Sequence, residues 1–342
     1  MSGRQILVTP AATVQMKRQR FLDAERILPR GVITSFVGRG GEGKTAFALD
    51  IVARITTGTL EGELFGRAGN VLIIAPEDDK ATQLVPRLKA AGADLNRVAF
   101  IEGSVTESDG FTFSDSPTLG VDLPQIADAL TEWGATLLMV DPVTATMTGD
   151  PNKSQDVRRE LARLDALAKR LDIAVLSILH VRKGKGGDLA DRASGSHAFR
   201  DVVRSSVQFA TDHETGRHIA TLEKTNYSGN SGKSWAFSLE SATVEGDNET
   251  LETIRVQHHG ESMVSVADLM ADPGDRSTNQ SAAETMLRTM LEPGSPVAYR
   301  DIVAAARVEG LSESAVKRAA EHVGVIKDRS GFGGGSHWQL AT

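Results

Sequence analysis

The residues Lys44, Thr45, Glu77, Asp141 and His180 have the types and spacing to handle the phosphates of a nucleotide. Lys44 and Thr45 close the stretch GRGGEGKT, residues 38–45, in which Gly38 is followed by four residues and then Gly43-Lys44-Thr45. That spacing fits the phosphate-loop pattern in full. Glycines let backbone N–H groups turn inward around a β-phosphate, and a helix starting at the loop adds positive potential there. The residues expected to hold the nucleotide are Gly38, Gly40, Gly41, Glu42, Gly43, Lys44, Thr45 and Ala46. Lys44 can reach the β- and γ-phosphates and Thr45 can place its hydroxyl on Mg2+, so ATP and Mg2+ are the expected ligands.

Asp141 follows the apolar run ATLLMV, where a strand-end carboxylate can support the Mg2+ shell beside Thr45. Glu77-Asp78-Asp79 follows VLIIAP, and a carboxylate at that strand end can be aimed at an attacking water. Glu77 comes first after the strand and is the candidate base, with Asp78 as the alternative. Asp78 and Asp79 also suit the N-terminus of the helix that follows. His180, at the tip of IAVLSILH, can touch a γ-phosphate and report its loss to the next loop.

Regular elements must position these groups. GVITSFV before the loop reads as a buried strand and AFALDIVA after it as a helix, the context that gives the motif its meaning. Strand-like runs at 71–77, 98–104, 135–142 and 173–180 alternate with helical runs at 81–91, 123–133 and 154–170. Near-continuous apolar strands between helices predict an α/β fold with a mostly parallel sheet covered on both faces. VRSSVQFA, RHIATLEKTN, SWAFSLES and LETIRVQHH then read as an antiparallel extension.

The chain of 342 residues is long enough for two domains. It contains no cysteine, which excludes disulfides and thiolate zinc sites, and its 8 histidines show no HExxH-like spacing. No run of 18 apolar residues is present, and the N-terminal stretch lacks a signal-peptide core, so a membrane role is not expected and a cytoplasmic setting is. The net charge of −7 neither argues for nucleic acid nor excludes a local basic surface. The expected divisions are an arm at 1–20, an ATPase domain at 21–265, a polar linker at 266–281 and a C-terminal module at 282–342.

Over residues 21–245 the order GRGGEGKT, strand-APED, LLMVDP, ILHVRK, RASGSHAFRDVVRSS and LEKTNYSGNSG resembles the RecA-like ATPase domains of the RepA type, relatives of the hexameric DnaB-like replicative helicases. The resemblance implies water polarisation by Glu77, Mg2+ support by Asp141 and γ-phosphate sensing by His180. It implies that Arg204 is an arginine supplied to a neighbouring subunit's nucleotide, with Lys224 as its companion. Related helicases often carry an arginine two residues beyond that lysine, where this chain has Asn226, which favours Arg204 as the finger. A trans arginine implies an oligomer, most simply a homohexamer. The resemblance also implies that the loops at 147–158 and 181–196 line a channel for single-stranded DNA, with Arg182, Lys183, Lys185 and Arg192 tracking phosphates. Neither loop carries an aromatic, so base stacking is not expected there.

From Ala282 the pattern is three helices, the third capped by Ser312, and then a Gly-rich hairpin, which resembles a winged helix. Such a module would place its third helix, with Lys317 and Arg318, in a DNA major groove. Residues 284–342 hold seven Lys and Arg against seven acids, so a protein partner is the alternative to duplex DNA. The function expected from the whole sequence is DNA-dependent ATP hydrolysis by an oligomeric RecA-like motor, a RepA-like replicative helicase of a plasmid, phage or integrated element. The alternatives are an ATP-switched DNA-binding regulator or helicase loader, and a RadA- or RecA-like recombination accessory ATPase.

Overall fold

The computed structural model describes residues 8–108, 111–181, 196–246, 249–270, 273–291, 295–311, 313–329 and 336–340. Strand β1 (Ile33–Gly38) leads into helix α1 (Lys44–Thr57), β2 (Asn70–Ile74), a π-helical turn at Lys80–Leu84 and α2 (Val85–Ala90). Then come β3 (Val98–Phe100), the hairpin of β4 (Ser104–Ser108) and β5 (Phe111–Asp115), α3 (Leu123–Glu132) and β6 (Ala135–Val140). Helix α4 (Ser154–Leu171), β7 (Ala174–His180) and α5 (Ser196–Val202) follow. The strands β8 (Ser205–Thr211), β9 (His218–Thr225), β10 (Ser234–Glu245) and β11 (Thr250–Ser262) come next. The C-terminal part is α6 (Val266–Met270), α7 (Pro273–Met290), β12 (Val297–Ala298), α8 (Tyr299–Val308), α9 (Glu313–His322), β13 (Val325–Arg329) and β14 (Ser336–Leu340).

Among the described residues one nine-stranded sheet runs in the order β11-β10-β9-β8-β1-β7-β6-β2-β3. The stretch from β8 to β3 is parallel, while β8, β9, β10 and β11 form an antiparallel meander. The central strands read as unbroken apolar runs because both faces are covered. In β7, Val175 and Leu179 face one core, with α3 and α4 packed over it. Ala174, Leu176 and Ile178 face the other core, which α1 covers with Phe47, Ile51 and Ile55. Each such large apolar side chain contributes about 1.5–3 kcal/mol when withdrawn from water. The parallel sheet with helices on both faces is the α/β core expected of the sequence, and it brings the ends of β1, β2, β6 and β7 to one edge.

The polar stretch at 266–281, expected to be linker, is largely helical: α6 and the first half of α7 lie in it. Ser265 and Asp268 cap α6 reciprocally, Asp268 Oδ2 accepting the Ser265 N–H at 2.8 Å and Ser265 Oγ accepting the Asp268 N–H at 3.2 Å. Helix α7 starts on Pro273, whose missing N–H is no loss in a first turn. Beyond it, α7, α8 and α9 enclose a third core containing Leu287, Ile302, Val316, Ala319 and Trp338. Strands β12, β14 and β13 form a small sheet against this core, and the Tyr299 and Trp338 rings lie 4.6 Å apart. Among the described residues no helix is long and apolar enough to cross a membrane.

Candidate nucleotide site

Gly38 ends β1 opposite His180 of β7, and its carbonyl accepts the Val181 N–H at 3.2 Å. The chain then turns through two left-handed glycines, Gly41 (φ 82°) and Gly43 (φ 79°). Gly43 is required sterically as well as conformationally: a Cβ there would fall 2.8 Å from Phe237 Cε2. A Cβ on Gly40, by contrast, would meet nothing within 4 Å. Helix α1 begins directly at Lys44, so its first N–H groups point into the turn.

Glu42 is buried, and its Oε2 accepts the Arg39 N–H at 2.5 Å. Burial raises its pKa, against lowering by that hydrogen bond and by Lys44. Its carboxylate therefore braces the loop from inside, a role distinct from the phosphate contact expected of this position. Lys44 Nζ donates to Arg39 O at 2.6 Å across the loop. Burial lowers the Lys44 pKa to about 8, while Glu42 and Asp141 oppose the shift.

Asp141 lies just beyond β6, buried, and its Oδ2 accepts a hydrogen bond from Thr45 Oγ1 at 2.6 Å. His180 Nε2 stands 3.8 Å from Asp141 Oδ1. Asp78, half-buried after β2, has its pKa raised by burial and by the charge of Asp141, and lowered by Arg87 and His180. Thr45, Asp141, His180 and Asp78 thus converge at one edge of the sheet. Among the described residues no three His, Asp or Glu side chains are arranged to hold a metal by themselves. One hydroxyl beside one carboxylate nevertheless suits Mg2+, which takes few protein ligands and shares the rest with phosphates and water. Thr45 and Asp141 are the residues that would hold it, and the ion would neutralise charge on the β- and γ-phosphates.

Glu77 is exposed, and it is Asp78 that shares the electrostatic field of Asp141. Asp79 belongs to the helix start: its Oδ1 accepts both Thr82 N–H and Thr82 Oγ1 at 2.7 Å, and these bonds lower its pKa. Arg204 is exposed at the opposite edge of the sheet, where its N–H donates to Ile33 O at the start of β1. Lys224 lies at that edge too, donating from Nζ to Arg200 O at 2.6 Å, and burial lowers its pKa. Asp165 of α4 is in the electrostatic reach of Arg204, and one of its carboxylate oxygens is buried without a hydrogen-bond partner. Neither basic residue can reach the loop of its own chain across the length of the sheet.

The DNA-contact candidates Arg182, Lys183, Lys185 and Arg192 lie outside the described residues, as does Ser312. Lys317 and Arg318 do not stand open on α9 as expected. Lys317 Nζ lies 3.7 Å from Glu261 of β11. Arg318 lies against Asp268 of α6, with Nη2 donating to Oδ1 at 3.1 Å and Nη1 3.0 Å from Oδ2. The reason is local: Asp268, fixed by its cap with Ser265, is largely buried and takes the nearest cation as its counter-ion.

His218 and Phe237, which no sequence motif marked, flank the loop on the side away from Asp141. Their rings stack at 5.1 Å and 27°. A family model described as an AAA domain matches residues 11–186, which span every element from the start of the sheet to β7. That match covers more than half of the 342 residues, and with the loop, the Thr45–Asp141 contact and the parallel sheet around them it identifies the chain as a member of the AAA_25 family of AAA-domain P-loop ATPases.

Proposed function

We propose that the chain is a DNA-dependent ATPase working as a cytoplasmic homo-oligomer, a RepA-type RecA-like helicase motor. The observation that carries this reading is the division of its machinery between two edges of one sheet. Lys44, Thr45, Asp141 and His180 stand at one edge, and Arg204 with Lys224 stands at the other. A charge that hydrolysis needs but that its own chain cannot deliver must come from a neighbour, and a closed ring is the simplest arrangement that supplies every site. In that reading Lys44 and the loop N–H groups hold the phosphates, and a carboxylate of the Glu77–Asp78 pair orients the attacking water. His180 senses the γ-phosphate, and Arg204 of one copy stabilises the transition state in the next. β6 and β7 both end at the nucleotide edge, which supports a DNA path there coupled to hydrolysis.

The C-terminal helices and three-stranded sheet suit a winged helix. The pairing of Lys317 with Glu261 and Arg318 with Asp268 favours a second reading for that module, a docked or switched element in place of a standing duplex-DNA reader. Steady-state ATP hydrolysis with and without single-stranded DNA, on a sample whose mass in ATP is measured, tests the proposal. Stimulation of about tenfold or more in an oligomer is expected. A slow rate indifferent to DNA, from a monomer, overturns the motor and leaves the switch.

A further inference from the structure

A phosphate loop grips the middle of its ligand, so the two ends of a bound triphosphate must leave it on different sides. Asp141 and His180 define one side, since β6 and β7 lie to one flank of β1. On the other flank β8 runs parallel to β1, and β9 returns beside it. Thr211, the last residue of β8, pairs with His218, the first residue of β9, at the same edge as the loop. A Cβ on Gly43 would come within 3.7 Å of His218 Cγ, so the imidazole lies directly against the loop backbone.

We propose that His218 is the wall against which the nucleoside end of the triphosphate rests, so that the site selects a nucleoside triphosphate over a bare polyphosphate. This assignment rests on the nucleotide reading of the loop and adds to it the residue that recognises the rest of the ligand. Phe237 is fully buried and cannot meet a ligand itself. It stacks on one face of His218, while Thr211 Oγ1 sits 3.0 Å from Nδ1. The ring is thereby fixed in plane and rotation, and its Nε2 has no hydrogen-bond partner among the described residues. Burial holds the imidazole below its ordinary pKa, which keeps it neutral near pH 7. Whichever way the proton lies between Thr211 Oγ1 and Nδ1, Nε2 is left for a ribose hydroxyl, which can both donate and accept. The residue is half-buried, and an imidazole face that meets a ligand suits a flat base.

The test compares Mg-ATP with magnesium tripolyphosphate by titration calorimetry on the full chain and on His218→Ala and His218→Phe. Loss of one base–aromatic stack weakens binding by about 5- to 150-fold. His218→Ala is therefore expected to lose about tenfold or more in ATP affinity while tripolyphosphate binding changes by less than about twofold. His218→Phe should recover most of the loss, and its tripolyphosphate binding reports that the loop is intact. If His218→Ala binds ATP as the unaltered chain does, or weakens both ligands equally, the assignment is wrong while the phosphate loop stands. If the unaltered chain binds neither ligand, the nucleotide reading fails and this assignment with it.

Discussion

Thr45 Oγ1 lies 2.6 Å from Asp141 Oδ2, joining the first turn of α1 to the end of β6 across 96 residues of chain. The hydroxyl and the carboxylate therefore occupy a common point before any phosphate arrives, which is the preorganisation that metal-supported phosphoryl transfer requires. His180 Nε2, 3.8 Å from the other oxygen of the same carboxylate, brings β7 to that point as well.

Asp141→Asn is expected to lower the hydrolysis rate by at least about 100-fold, with ATP affinity changed far less. Steady-state turnover and calorimetric binding on the same sample separate the two. A variant that hydrolyses ATP normally would remove Asp141 from the site.

Lys44 gives the site a pH profile. With its pKa lowered to about 8 by burial, the ammonium begins to lose its proton just above neutrality. Phosphate favours the charged form, so ATP affinity should be flat below about pH 8 and fall by up to about tenfold per pH unit above it. Binding at about pH 9 should take up a proton, visible as a buffer-dependent enthalpy. The folded chain alone should respond in the opposite sense. Between about 8 and the ordinary lysine value of 10.5 the unfolded state holds more protons, so this residue's contribution to stability rises with pH. Lys44→Arg should abolish the affinity profile.

Gly43→Ala combines a left-handed φ of 79° with a Cβ 2.8 Å from the Phe237 ring. The backbone alone costs about 1–2 kcal/mol for an L-residue, before the clash. Thermal melts should show that loss and nucleotide binding should collapse. Gly40→Ala, with open space around it, should melt like the unaltered chain.

Asp23 offers a control away from the site. It is buried, accepts N–H groups from Ile27 and Leu28 at 2.8 and 2.6 Å, and has its pKa raised to about 6, chiefly by burial. The protonated form is the one folding favours, so its contribution is complete below about pH 4 and disappears as pH rises through about 6. Relative to Asp23→Asn, the unaltered chain should lose on the order of 3 kcal/mol between those limits, measured by urea unfolding at each pH. Parallel curves for the two proteins would contradict it.

Arg204→Ala should bind ATP and fail to turn it over if the guanidinium serves a neighbour. Mixed with Lys44→Ala, it should recover part of the activity, because some interfaces then join an intact loop to an intact arginine. An equimolar mixture as inactive as its parts, while still assembled, counts against a role in trans.

The loop, its flanking strand and helix, and the strand ends at Asp141 and His180 were legible because they depend on short-range patterns: glycine spacing, apolar periodicity and an acid after an apolar run. What was misread depended on weighing composition above local chemistry. The stretch around Pro273 is polar and looks like linker, yet Ser265-x-x-Asp268 is a helix-start signature and Pro273 is an acceptable first helical residue. What could not be read at all is long-range. Nothing near Arg318 announces Asp268, 50 residues earlier, and nothing near His218 announces Phe237. The choice between Glu77 and Asp78 belongs to the same class. It turns on distance from Asp141, which adjacency in sequence does not encode.

The hold that Asp268 and Glu261 keep on Arg318 and Lys317 makes α9 a conditional surface. A partner that needs those two cations competes with the chain's own carboxylates, and only molecules in which the contact has opened can take part. If opening requires about 1.4 kcal/mol, about one molecule in ten is competent at any moment, and the apparent affinity is about tenfold below that of the helix itself. Salt would act on such a surface in two opposing ways. It would weaken attraction to a polyanion and also loosen the contact that hides the cations, so binding through α9 would fall less steeply with ionic strength than its charge predicts.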